Sequence, residues 1–329
     1  MERRRFIGVV AGTLLATPLA AAPLPGKVLR LGLLYAIRPT FDEASNPDDR
    51  AFVEGLRANG YELGRNVTLE FRSAGGNPER LADLAVELVQ LKVDVLVTSL
   101  TGPTLAAQAA TKTIPIVMFG VPDPVGAGIV ASLAHPGGNI TGMSVNAAEI
   151  AAKRVQLLKE AVPKLSHVAV LWNTSLKAMT LGFQQIEIAA PSLGVTVQSV
   201  RVSGSADFDQ AFAAIARSRP GGLVVLFGPL RGDDLPRIVE FVNRNRIPTV
   251  FELGRGIAGG GLMEFGPSLR DSARQVGEYV DRIANGAKPA DLPIREPTTF
   301  ELAINLKTAK ALGLTIPPSL LVRADQVVE

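Results

Sequence analysis

Ile114-Pro115-Ile116-Val117 and Ile247-Pro248-Thr249-Val250 are two versions of one short strand, 133 residues apart. Proline is tolerated in a strand only at its start, at an edge or at a bulge, so each proline marks where a strand opens. Upstream of this pair, Asp94-Val95-Leu96-Val97 matches Gly222-Leu223-Val224-Val225 at an offset of 128. Further upstream, Val67 in Gly64-Arg65-Asn66-Val67-Thr68 matches Val195 in Leu193-Gly194-Val195-Thr196 at the same offset. Order is kept and the drift is small. The chain is two copies of one unit.

Each copy alternates strands with helices. In the first, strands are expected over Val28–Tyr35, Val67–Arg72, Val93–Thr98 and Ile114–Phe119, with helices over Asp48–Asn59, Pro78–Leu91 and Thr104–Thr111. In the second, strands over 168–172, 195–200, 223–227 and 247–251 enclose helices over 177–190, 207–218 and 235–245. Nearly continuous apolar runs such as Val93–Val97 read as strands covered on both faces. Repeated βαβ units build a parallel α/β sheet. The expected fold is therefore α/β, with two Rossmann-like lobes whose parallel sheets are joined by a multi-strand hinge. The chain continues past the second repeat through Gly259-Gly260-Gly261, a helix over 268–285, a proline-rich stretch over 288–297 and a strand over 299–304. One added segment per lobe gives lobe 1 as 28–145 plus about 255–295 and lobe 2 as 146–254 plus about 296–329. A length of 329 residues suits two cores, since single cores stop growing at ~250–300 residues.

The first 22 residues read as a signal peptide. Arg3-Arg4-Arg5 is a basic leader, Phe6–Leu19 is apolar and Ala20-Ala21-Ala22 offers a cleavage site. Arg3-Arg4-Arg5-Phe6-Ile7 fits a twin-arginine address as well as a Sec signal. Either route leads to the periplasm. The chain has no cysteine, which excludes disulfides, thiolate metal sites, cysteine nucleophiles and a lipid anchor on cysteine. The formal charge is +3, and Lys and Arg are scattered. No basic patch marks a nucleic-acid partner. Catalytic signatures are missing too. His135 lies in a turn, His167 opens a strand, and neither has metal-ligand spacing. Gly126-Ala127-Gly128-Ile129-Val130-Ala131 follows the dinucleotide pattern but does not directly follow a strand. No catalytic residue, metal or cofactor is expected.

Ligands of open parallel sheets bind beyond the carboxyl ends of the strands. Tyr35 and Trp172 stand after the first strand of each copy, either sandwiching a flat ligand group or packing in the cores. Thr98, Ser99 and Thr101 precede a helix and offer an anion site or ordinary caps. Phe227 and Gly228 hold the equivalent place in the second copy. Asp123, between two prolines, either receives an ammonium or closes a turn; Glu252 is its counterpart. Asn146 and Asn173 are amide contacts or helix caps.

These stretches resemble the ABC-transporter substrate-binding proteins of the type I periplasmic-binding fold, in the family that includes tryptophan and tyrosine binders. The resemblance rests on Gly60-Tyr61 to Glu70, Asn77 to Thr98, Ile114 through Asp123-Pro124-Val125, His135-Pro136-Gly137-Gly138-Asn139-Ile140-Thr141-Gly142, Ala258-Gly259-Gly260 and the tail from Gly286 to Asp325. It implies two hinged lobes, no catalysis, a small-molecule ligand, and an ABC permease with its cytoplasmic ATPase as partner, the binding protein itself being a monomer. It also places the loop Ala36-Ile37-Arg38-Pro39 at the pocket, which adds Arg38 as a contact. An aromatic amino acid or another small carboxylate is the ligand expected. Two rivals share the architecture: a ligand sensor for a membrane receptor, and a two-lobed transferase.

Overall fold

The computed structural model describes residues 28–145, 147–175, 177–226, 234–252 and 256–329. The segment expected to be the signal peptide lies outside them. Leu31, Leu33 and Leu34 of β1 (Leu29–Tyr35) are wholly shielded, as befits a strand with helices on both faces. The chain then forms α1 (Pro47–Ala58), β2 (Val67–Ser73), α2 (Leu81–Gln90), β3 (Val95–Ser99), α3 (Thr101–Ala110), β4 (Ile116–Pro122) and β5 (Ile140–Val145). The strands pair in parallel in the order β2-β1-β3-β4-β5. α1 starts where the sequence dictates: Asn46 Oδ1 accepts from the backbone N–H groups of Asp48 and Asp49, and Pro47 fills the first turn.

The second copy repeats this plan. After α4 (Ala147–Ala161) come β6 (His167–Asn173), α5 (Lys177–Ala189), β7 (Thr196–Val202), α6 (Phe208–Ser218), β8 (Gly222–Leu226), α7 (Asp234–Arg244), β9 (Thr249–Phe251) and β10 (Met263–Pro267). Their order, β7-β6-β8-β9-β10, is that of the first sheet strand for strand. Beyond it, β11 (Phe300–Asn305) adds antiparallel to β10, and β12 (Gln326–Val328) closes the edge. The fold is α/β with two lobes, as the repeat indicates.

β10 is thus the fifth strand of the second copy, the counterpart of β5. That corrects the boundary expected near 255, because residues 263–267 pair with β9 and β11 in the second sheet. The chain reaches the first lobe only with α8 (Leu269–Ala284). Val276 and Val280 of α8 share a core with Phe52 and Leu56 of α1 and Leu31 and Leu33 of β1. In the same way α4, which follows β5, packs Val155 and Leu158 with Phe183 and Ile186 of α5 in the second lobe. Each copy lends the helix after its fifth strand to the other lobe.

Three crossings follow from this exchange: after β5, after β10, and on the return into β11. β5 and β10 both leave from their carboxyl ends. β11 enters beside the carboxyl end of β10, with Phe300 opposite Pro267. The carboxyl edges of both sheets therefore meet at the hinge.

The α1–α8 seam holds the exchanged helix. Gly55 and Gly277 face each other there, and a Cβ on either would overlap backbone of the opposite helix. Gly277→Ala is expected to lower stability by about 1–3 kcal/mol, read from the midpoint of a urea melt. An unchanged midpoint would show that the seam can open without cost.

Candidate functional site

The carboxyl edge of the first sheet presents Tyr35, Ser73, Ser99 and Pro122, and that of the second Asn173, Val202, Leu226 and Phe251. Tyr35 is buried, with Phe71 and Phe119 at ring-centroid distances of 5.4 and 5.9 Å. Trp172 is 5% exposed. Its indole lies parallel to Phe183 at 5.0 Å, and its Nε1–H donates to Ser199 Oγ at 2.9 Å. The two rings belong to separate cores, so they do not form the sandwich expected across the lobes. Both side chains leave the strand end toward the helical layer, where the cores need aromatic volume.

α3 begins at Thr101, one turn earlier than the sequence suggests, because Pro103 is accommodated in its first turn. Its N-cap is Leu100, at φ 72° and ψ 172°, with no side-chain hydrogen bond closing the helix. This backbone region is essentially reserved for glycine and costs of order 1–3 kcal/mol elsewhere. Leu100 N–H donates to Phe119 O at 3.0 Å, which holds the loop against β4. Thr98 is buried, and its Oγ1 lies 2.8 Å from Thr104 Oγ1, which in turn donates to the carbonyl of Leu100. Thr98 thus braces the strained turn, while Ser99 and Thr101 flank it.

Asp123 also has positive φ, at 50°. Its Oδ1 accepts from Gly126 N–H at 2.8 Å, so the carboxylate closes its own turn; the same bond occupies the start of the dinucleotide-like stretch. Asn173 does likewise, its Oδ1 accepting from Ser175 N–H at 2.9 Å. Asn146, Phe227 and Gly228 lie outside the described residues.

Charge is buried at both edges. Arg38, after β1, donates from Nη2 to Asp49 Oδ1 at 2.6 Å, and its guanidinium carbon lies 4.8 Å from the Tyr35 ring centroid. Asp49, 1% exposed, also accepts from Asp42 N–H. In the second lobe Arg154 of α4, 1% exposed, donates from Nε to Phe265 O on β10 at 2.9 Å. Its Nη1 stands 3.7 Å from Oε1 of Glu252, which directly follows β9. Among the described residues, Arg38 Nη1 and Arg154 Nη1 are the buried side-chain nitrogen or oxygen atoms without a hydrogen-bond partner.

Burial pushes the Tyr35 hydroxyl far above the usual phenol range, against the pull of Arg38. It also raises Asp48, despite Arg38 nearby. Burial works against the Arg154 cation, and Glu252 offsets it. Among the described residues, no group of three or more His, Asp or Glu side chains is placed to hold a metal ion.

Sequence reasoning missed Asp49 and Arg154. Their signal is a charge inside an apolar stripe: Arg154 falls between Ile150 and Leu158, and Asp49 precedes Phe52, Val53 and Leu56 at helical spacing.

Comparison with known proteins identifies the assembly. The family model for ABC transporter substrate binding proteins matches residues 43–328. The chain belongs to that family. The tyrosine-binding protein of Clostridioides difficile (strain R20291) is 29% identical over 279 residues, covering 84% of this chain and 78% of that protein. A solved ABC domain from Streptococcus pneumonia in complex with L-Trp superposes with a TM-score of 0.80 at 26% identity, over 91% of this chain and 99% of that one. The ligand-free, open structure of a substrate binding protein with adhesive properties from Clostridium difficile gives 0.70 at 26% identity, over 92% and 99%. More distant type I solute-binding proteins share the two-lobed fold. ABC transporter substrate-binding proteins take a small-molecule ligand in the service of a transporter and are not enzymes. They are typically extracytoplasmic. No helix among the described residues is long and apolar enough to cross a membrane.

A carboxyl whose pKa rises on folding keeps its proton longer in the native state, so it weakens the protein as pH climbs above its ordinary value of 3.8. Asp48→Asn removes that burden. Its melting midpoint should exceed that of the wild type at neutral pH, and the gain should fade as the pH approaches about 4. A gain independent of pH would refute burial of the charge as its cause.

Proposed function

We propose that this substrate-binding protein works in the periplasm as a monomer, capturing an aromatic amino acid or related small carboxylate and delivering it to an ABC permease with its cytoplasmic ATPase. The observation that carries the reading is the α3 N-terminus: an uncapped helix start, held by a strained Leu100, at the edge where the three crossings bring the sheets together. Helix starts leave backbone N–H groups unsatisfied and carry partial positive charge, and a carboxylate answers both. Ser99 and Thr101 supply hydroxyls beside it. Ala36 and Ile37, half-buried after β1, give apolar contact. The relatives that bind tyrosine and L-Trp support an aromatic amino acid.

Capture proceeds by hinge closure. A ligand touching both carboxyl edges favours the closed arrangement by its differential affinity for it. Micromolar binding corresponds to about 8 kcal/mol, more than a hinge equilibrium of a few kcal/mol requires. The open, ligand-free relative supports this cycle.

The test is a thermal-shift panel of amino acids and small carboxylates, followed by X-ray scattering of the best ligand's complex. L-Tyrosine or L-tryptophan should raise the midpoint, and saturation should shrink the radius of gyration. Thr101→Pro, at a position where proline suits the helix, deletes one N–H and should weaken carboxylate binding about tenfold. No compaction, or unchanged affinity in Thr101→Pro, would remove closure or the helix site respectively.

A further inference from the structure

The amino edge of the second sheet, opposite the edge that meets the hinge, carries a row of cations. Arg219 follows α6 and Arg246 follows α7, just ahead of β8 and β9. These strands are neighbours, with Leu223 N–H donating to Pro248 O at 2.8 Å. β6 lies on the other side of β8, with Gly221 N–H donating to His167 O at 2.9 Å. Lys164 stands in the turn that leads into β6. β11 runs antiparallel to β10 and so ends at this same edge, where Lys307 follows it in α9 (Leu306–Leu312). From β6 to β11 the row is about 20 Å long at the usual strand spacing. Arg217 and Arg244 stand behind it in the last turns of α6 and α7. All six side chains are exposed, and none forms an ion pair with a described carboxylate, although Glu240 lies one turn before Arg244. Helix dipoles account for Arg217 and Arg244, because a helix C-terminus favours a cation. They do not account for the rest. Arg219 and Arg246 have φ of 47° and 54°, the left-handed region where a helix normally ends on glycine. Lys307 stands in the first turn of α9, where the dipole disfavours a cation.

We propose that this edge docks the protein on an anionic phospholipid bilayer. Long Lys and Arg side chains in a row meet phosphate headgroups without needing a shaped partner, and each contributes by its charge near the surface. A protein partner would be anchored by aromatic or aliphatic side chains in a packed interface. None of the exposed large apolar side chains among the described residues stands on α6, on α7 or in the turns after them. The chain is close to neutral overall, with a formal charge of +3 over 329 residues, so the attraction is local to this edge. The cations are scattered in sequence from Lys164 to Lys307, and the strand order brings them together. Docking here leaves the carboxyl edge uncovered, so a protein held at the membrane can still take up its ligand. The inference goes beyond solute capture and does not depend on it.

Co-sedimentation with vesicles of phosphatidylcholine, with or without phosphatidylglycerol, tests this. The protein used lacks residues 1–22 and keeps every buried cluster whole. Binding is expected only to the anionic vesicles and should fall as salt screens it. Arg219→Gly/Arg246→Gly removes two charges and gives both turns the residue their backbone favours, so the fold is kept. At about fivefold per cation, its binding should be about 25-fold weaker. Arg217→Gln/Arg244→Gln, at exposed positions, should weaken binding by a similar factor. Ligand-induced thermal shifts should be the same in both variants as in the wild type, which separates this edge from the solute site. No binding to the anionic vesicles, or undiminished binding in either variant, overturns the assignment and leaves the solute-binding reading intact. Tighter binding to duplex DNA than to the vesicles, at equal phosphate concentration, overturns it in the same way.

Discussion

The rest of the structure depends on where the helix after each fifth strand packs. β5 ends and α4 docks in the second lobe; β10 ends and α8 docks in the first. Neither sheet covers both faces with helices of its own copy alone. Leu31 and Leu33 of β1 need Val276 and Val280 of α8, which arrive only after the second sheet is complete. The first lobe is therefore unfinished until the chain has passed through the second. The same exchange forces the crossings to the carboxyl edges, which in parallel sheets is where ligands sit. The crossings and the proposed site share one topological cause.

The edges carry features that stability alone does not favour. Leu100 occupies a glycine backbone region, Asp48 is held partly buried against its charge, and two guanidinium nitrogens lack partners, one in each lobe. Other helix starts are closed in the usual way: Asn46, Asn77, Ser268 and Asn305 cap theirs by side-chain oxygen atoms. Lys92, Arg219 and Arg246 also have positive φ, but each ends a helix or its turn before the next strand, whereas Leu100 opens a helix at the carboxyl edge.

Most of the fold is legible in the sequence because its determinants are local. Apolar runs such as Val93–Val97, capping residues such as Asn77, and the paired Ile-Pro strands fix element type and repeat. The fifth strand of the second copy is harder to read. Met263–Pro267 follows a glycine run that looks like a break, and its pairing with β9 is non-local. The site is less legible. Which way Tyr35 and Trp172 turn at a strand end depends on what fills the core behind them, here Phe119 and Phe183. Asp123 and Asn173 look the same in sequence whether they meet a ligand or close a turn. Arg154 is visible only as a charge in an apolar stripe, and its partner lies far along the chain at Glu252.

Two arginines, Arg154 buried and Arg38 half-buried, bear on the kind of ligand the edges suit. Each is already balanced by a carboxylate, Arg38 by Asp49 and Arg154 by Glu252. The pairs add no net charge to the edges, so neither a purely anionic nor a purely cationic solute gains from long-range attraction to them. What the first lobe's edge offers is directional: the open helix start at Thr101, with no side chain closing it. Under the proposed closure, a solute that reaches this helix start and the opposite edge together does so only when the lobes come together. On that proposal selectivity and closure draw on the same interactions, because a ligand shifts the hinge only by its differential affinity for the closed form.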